Sequence, residues 1–329
     1  MRVAAIDLGT NTVRLLVGEP DGSGGFRPLF AAQEITRLGQ DLLPGGVLQQ
    51  EPIRRTLAVL RRFREAAETH QAAVIAAVGT SALREAKNRE AFLDRARREA
   101  GLQVRVISGD EEVRLTLLGV RAALRIGPGQ LVLMDIGGGS TEFLLADGPE
   151  VRATVSTGLG VVKLSETYLR SDPPLPTELG AVREVVAARM ARLCTQEIPE
   201  WERTTQGRER RLLGTAGTVT SLAAIDLRLD PYDPRRVNGH RLTRETVGAL
   251  FQELAALPLT RRRHIPGLEP ARADVIVAGA LVCLGAMERL GVPDIVVSDG
   301  GLREGVLLDA LRRAGASDQS PDQARFPHG

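Results

Sequence analysis

The sequence predicts an α/β protein built from two similar halves, and three observations carry that expectation. Strand-like apolar runs alternate with helical patterns along the chain, which argues α/β architecture. A turn motif occurs twice, as "AAIDLGTNTVRLLV" near the start and as "VLMDIGGGSTEFLLA" further on. The 329 residues, 43% of them apolar, suffice for two domains of ordinary size. Aligning the two motifs pairs Asp7 with Asp135, Gly9 with Gly137, Asn11 with Gly139 and Thr12 with Ser140. One copy opens each half, so two related sheets should bring their glycine turns to one cleft.

The elements follow in order. "RVAAIDLG" and "VRLLVGE" read as strands around the first turn, with "QEITRLGQ" as a third. Residues 51–69 place Ile53, Leu57, Leu60 and Phe63 at helical spacing. "AVIAAVGT" is a buried strand. "NREAFLDRARREAG" is a helix capped by Asn88 and stopped by Gly101. "VRVIS" is a strand, and "GDEEVRLTLLGVRAALRIG" a helix ending near Gly127. "QLVLMDIGGGSTEFLLAD" then repeats the opening pattern. The expected domains are 1–124 and 125–301. A last helix near 302–313 should cross back to the first domain, and 314–329, without an apolar pattern, reads as a disordered tail.

Composition removes several function classes. No apolar run reaches the ~18 residues of a membrane span. "MRVAAIDLG" lacks the apolar stretch and cleavage site of a signal peptide, so a cytoplasmic protein is expected. Cys194 and Cys283 have no ligand spacing and read as reduced core thiols. His70, His240, His264 and His328 show no metal spacing either. A formal charge of +2 and only 3% aromatic residues argue against nucleic acid as a partner. A membrane partner is not expected.

The chemistry of the turns is direct. Glycines 137, 138 and 139 let backbone N–H groups form an anion-binding concavity. Thr10, Thr12, Ser140 and Thr141 add hydroxyl donors. Asp7, Asp135 and Glu142 are hard oxygen ligands suited to Mg²⁺, which bridges phosphate oxygens. A plain pair of β-hairpins is the competing reading of the same turns. No GxxxxGK[ST] run occurs, and "GLGVVK" lacks the third glycine of a dinucleotide loop. A third loop, "LLGTAGTVTSLA", sets Gly214 and Thr215 before a helix; it is an anion site or a tight packing turn. A fourth, "VVSDGGLREGVL", has glycines suited to close packing.

Two neighbouring acids divide the roles at 111 and 112. Ser108 is a good helix N-cap, and Glu111 stands at the capping-box spacing. Glu112 is left over. Its neighbours Thr116 and Gly119 are small, while the apolar stripe runs through Val113, Leu117, Val120 and Leu124. Glu112 is therefore a candidate general base, against the alternative of a solvated first-turn acid. Arg14, Arg84 and Lys163 are candidate phosphate contacts, Arg84 because it follows a strand end, where α/β sites form.

Seven segments together resemble the exopolyphosphatase/guanosine pentaphosphate phosphohydrolase (Ppx/GppA) family of the sugar kinase/Hsp70/actin superfamily. They are "AAIDLGTNTVRLLV", "VGTSALREAKN", "VISGDEEVRLTLLGV", "LVLMDIGGGSTEFLLA", "STGLGVVKLSE", "LLGTAGTVTSLAA" and "IPGLEPARADVIVAGALV". They run in order from about residue 1 to about residue 312. The resemblance implies two RNase-H-like domains of the actin/Hsp70/sugar-kinase type around an active-site cleft. It implies release of terminal phosphate from polyphosphate or guanosine pentaphosphate (pppGpp), with Mg²⁺ or alternatively Mn²⁺. It further implies a homodimer and (p)ppGpp as an inhibitor. The family's water-activating Glu falls on Glu112, its phosphate and metal turn on Asp135, Gly137 and Glu142, its first turn on Asp7 to Thr12, and its arginine on Arg84. Two departures stand out. The helical domains of longer members have no counterpart after about 315, and Asn238 occupies a position where the family commonly has His. Two other classes fit the same turns: an actin-fold kinase or ATPase, and a non-enzymatic regulator that binds (p)ppGpp.

Overall fold

The computed structural model describes residues 1–22, 24–42, 46–124, 126, 129–148, 150–199 and 210–318. The first half runs β1 (Val3–Leu8), β2 (Thr12–Pro20), β3 (Phe26–Ile35), α1 (Gln50–Thr69), β4 (Val74–Gly79), α2 (Ser81–Glu85), α3 (Arg89–Ala100), β5 (Val104–Val106) and α4 (Gly109–Leu124). The second half opens with β6 (Gln130–Ile136), β7 (Thr141–Asp147), β8 (Glu150–Thr157), α5 (Val161–Tyr168) and α6 (Pro176–Arg192). It continues through β9 (Arg210–Thr215), α7 (Ala216–Asp226), α8 (Pro234–Val237), β10 (Arg241–Thr243), α9 (Arg244–Ala256) and α10 (Leu259–Arg262). It closes with α11 (Ile276–Leu290), β11 (Asp294–Val297) and α12 (Leu302–Asp318).

Two mixed sheets form two lobes. The first has the order β3-β2-β1-β4-β5. Read from its far edge, the second has β8-β7-β6-β9-β11-β10. In each, a three-stranded antiparallel meander is followed by two parallel strands. This is the RNase-H-like arrangement, present twice, with β10 added to the second copy.

Several local expectations change. The third strand begins at Phe26, not at Gln33, because it pairs with β2 over its whole length, from Pro20–Phe26 to Thr12–Ile35. Pro28 hides it from sequence reading, but an edge strand tolerates proline where the register shifts beside Gly18. Asn88 makes no side-chain cap to α3. Its amide instead brackets Leu48, accepting from the Leu48 N–H at 2.8 Å and donating to the Leu48 carbonyl at 3.1 Å. Gly101 does end α3, in the left-handed region at φ 64°. The last helix extends to Asp318; residues 319–329 of the expected tail, and Gly127, lie outside the described residues.

Two helices are exchanged between the lobes. The stripe of α4, Val113, Leu117 and Val120, packs with Leu131, Leu133, Leu144 and Leu213 of the second sheet. Conversely, Leu302, Val306, Leu307 and Leu311 of α12 pack with Val3, Ala5, Leu16 and Val78 of the first. The helices cross backbone to backbone. A Cβ on Gly119 would fall 2.0 Å from the Gly301 carbonyl oxygen, and one on Gly305 1.8 Å from that of Leu115. Only glycine fits either position. Among the described residues no helix is long and apolar enough to cross a membrane.

Candidate active site

The two repeated turns have the same internal geometry. Gly9 N–H donates to the Thr12 carbonyl at 3.0 Å, and Gly137 N–H to the Ser140 carbonyl at 2.9 Å. A Cβ at Gly9 would lie 3.0 Å from that oxygen, and one at Gly137 3.1 Å, so each reversal is tight enough to favour glycine. The strand registers differ in charge rather than shape. Asp7 stands opposite Arg14 on β1–β2, and Asp135 opposite Glu142 on β6–β7.

Both turns face one small chamber of about 90 Å³. The first contributes Asp7, Gly9, Thr10, Asn11, Thr12 and Arg14; the second contributes Asp135, Gly137, Gly138, Gly139, Ser140 and Glu142. Glu112 from the first turn of α4 and Thr215 from the end of β9 complete the sequence-derived part of the wall. β9 brings Thr215 there because it runs parallel to β6, with Thr215 beside Asp135.

Four sequence-derived candidates stand off the wall. Thr141 is fully buried and donates to the Leu159 carbonyl at 2.6 Å. Gly214 packs, since a Cβ there would meet Ile295 and Val219 at 2.8 Å. Lys163, expected on phosphate, is tied to both oxygens of Glu85 at 2.7 and 2.6 Å. Arg84 stands behind Glu112, donating to its carboxylate and to the Ile107 carbonyl at 3.1 Å, and lies 3.7 Å from Glu142. Glu111 forms half of the expected capping box. Ser108 Oγ accepts its N–H at 3.1 Å, but its carboxylate turns to Arg105 at 2.6 and 2.7 Å.

Other wall residues were not singled out from sequence. Thr80 and Ser81 follow the end of β4, the same strand-end signal that pointed to Arg84. Arg272 lies in the connection before α11, and Gly217 makes room for it: a Cβ there would fall 1.9 Å from the guanidinium. Arg272 donates to Thr12 Oγ1 at 3.3 Å. Arg14, Ala216 and Arg272 also border a larger adjoining cavity of about 700 Å³. Asn238 ties the end of α4 to the fourth loop, donating to the Ala123 carbonyl at 3.0 Å and accepting from Asp299 N–H at 3.2 Å.

Four buried carboxylates share this space, and each is held above its ordinary range. Burial raises Asp7 to about 6, opposed by Arg14 and reinforced by Asp135. Burial, then Asp135, raises Glu142 to about 7, although Ser140 and Ser156 donate to it at 2.6 and 2.8 Å. Asp135 is raised by burial against the pull of Arg14. Glu112 is raised well above its usual value by burial and by Glu142, with Arg84 pulling down. Asp7, Asp135 and Glu142 are carboxylates of the type that could hold a hard divalent cation. Asp7 Oδ1 is buried with no hydrogen-bond partner, and all three candidate ligands are oxygens. No group of three or more such side chains among the described residues is preassembled as a metal cage. Mg²⁺ does not require one, since it keeps waters and uses one or two carboxylates with phosphate oxygens.

The fold and site define a two-lobed RNase-H-like protein whose repeated glycine turns and buried acids meet between the lobes. The family model of the Ppx/GppA phosphatases matches residues 17–314, and the chain belongs to that family. It is 32% identical over 319 residues to exopolyphosphatase 2 of Mycobacterium tuberculosis, covering 93% of this chain and 98% of the relative. The crystal structure of the Aquifex aeolicus family member is similar at TM-score 0.76 and 34% identity, covering 95% and 98% of the two chains. That of an exopolyphosphatase from Cytophaga hutchinsonii gives TM-score 0.83 at 26% identity, covering 95% and 98%.

Proposed function

We propose that this phosphatase is a metal-dependent phosphohydrolase that releases terminal phosphate from inorganic polyphosphate or from pppGpp. The observation that best supports this is the presence of Glu112, a buried acid with raised proton affinity, on a chamber walled by both glycine turns. A general base works best when its affinity lies near the working pH. The terminal phosphate sits between the turns, against their N–H groups and the hydroxyls of Thr10 and Thr12, while Ser140 holds Glu142. Asp7, Asp135 and Glu142 would hold Mg²⁺, or alternatively Mn²⁺, which supplies neutralising charge for the phosphate oxygens. Glu112 takes a proton from water as the water oxygen bonds to phosphorus. The bridging P–O bond breaks, and the leaving phosphate chain or nucleotide departs with its electrons. Arg84 orients the base rather than the substrate. Positioning and electrostatics supply most of the rate in such transfers.

Phosphate release from polyphosphate and from pppGpp, each with and without Mg²⁺, tests the proposal. Metal-dependent release from at least one is expected. Turnover of ATP outpacing both would favour a kinase or ATPase, and tight (p)ppGpp binding without release would favour a sensor.

A further inference from the structure

Lys163 and Glu85 belong to different lobes and meet beside the chamber. Lys163 is the third residue of α5. That helix is fastened to the second glycine turn: Val161 N–H donates to the Gly137 carbonyl at 3.1 Å and Val162 N–H to that of Gly138 at 2.9 Å. A Cβ on Gly160 would fall 2.1 Å from the Gly139 carbonyl carbon, so helix and turn move as one body. Glu85 ends α2, and Ser81 begins it. Ser81 Oγ donates to Glu85 Oε1 at 2.9 Å, the oxygen that Lys163 Nζ approaches to 2.7 Å. Ser81 is itself a chamber wall residue. It lies on the bare backbone of the opposite turn, where a Cβ on Gly139 would come within 2.6 Å of its hydroxyl.

We infer that Lys163 and Glu85 are a positioning pair that fixes Ser81 against the second glycine turn and draws the lobes together over the substrate. The inference rests on the phosphohydrolase reading for what the closed cleft holds. The physical case is that the pair can form only when the lobes are close, and an interaction made in one state alone is what biases a two-state motion. Both side chains are partly exposed, 24% for Lys163 and 31% for Glu85, so the pair tunes closure without carrying the fold.

The rival role for Lys163 is direct contact with phosphate, and substitution of Glu85 separates the two by sign. In the positioning role, Lys163→Met and Glu85→Gln each raise KM for the released phosphate's donor by about three- to tenfold with kcat little changed. Lys163→Arg retains most of the wild-type KM. In the direct role, Glu85→Gln frees the ammonium and lowers KM, which would overturn the inference. A second readout needs no turnover. Small-angle scattering of the ligand-free protein at low salt should give a larger radius of gyration for Lys163→Met and Glu85→Gln than for wild type or Lys163→Arg. Equal radii for all four would also overturn it. If wild type releases phosphate from neither polyphosphate nor pppGpp, the functional reading fails, and the scattering comparison still decides the pair.

Discussion

The guanidinium of Arg84 donates to the carboxylate of Glu112 behind the chamber wall, where it also faces Glu142 at 3.7 Å. One cation thus moderates two acids that burial pushes towards neutrality. Arg84→Met removes that restraint, and Glu112 should hold its proton to higher pH. A base must be deprotonated to act, so the acidic limb of the kcat/KM profile should move to higher pH. A lower plateau with an unmoved limb would indicate a phosphate contact instead.

Asp7 couples the site to stability. Its folded value of about 6 lies above the ordinary 3.8, so the fold binds its proton more tightly than the unfolded chain does. Below about pH 4 the group is protonated in both states and contributes nothing. Between there and pH 6 ionisation grows more costly in the fold, and above pH 6 the full penalty is present. Two units correspond to up to ~3 kcal/mol. Asp7→Asn should therefore stabilise the metal-free protein at pH 8 by up to that amount and leave it nearly unchanged at pH 4. Urea unfolding at the two pH values checks this, and an equal loss at both would contradict it.

The crossing of α4 and α12 makes a purely structural prediction. Gly305→Ala places a methyl against the Leu115 carbonyl, a backbone group that cannot rotate away. Overpacking of this kind costs ~1–3 kcal/mol or more. Gly248→Ala, on α9 with nothing within 4 Å, should instead gain ~0.5–1 kcal/mol from helix preference. Thermal unfolding of the two variants should move in opposite directions.

Much of this was legible in the sequence because the turns repeat. Aspartate, glycine and hydroxyl at fixed offsets demand one backbone geometry, and the two copies agree to 0.1 Å in their closing hydrogen bonds. What stayed hidden depends on partners distant along the chain. Arg84 and Lys163 look like free cations until Glu112 and Glu85 are placed beside them. Asn88 has the form of a cap, yet a loop forty residues away claims its amide. The helix of Glu112 looks local to the first half, but its apolar stripe serves the second sheet. Arg272 carries no distinctive spacing, and only the lobe arrangement brings it to the chamber.

The central claim is that Glu112, and not its neighbour, activates water. Glu111 reaches out to Arg105 and away from the chamber, so Glu111→Gln should change stability and turnover little. Glu112→Gln keeps size and polarity but cannot take a proton at neutral pH. General-base assistance contributes on the order of 10²–10⁴-fold, and turnover should fall within that range. Substrate binding should survive, since a negative charge near the phosphates has been removed. The measurement is phosphate release by the two Gln variants side by side, with binding of a non-hydrolysable analogue as the companion reading. The account predicts a slow Glu112→Gln enzyme that still binds and a normal Glu111→Gln enzyme; a dead Glu111→Gln beside an active Glu112→Gln would contradict it.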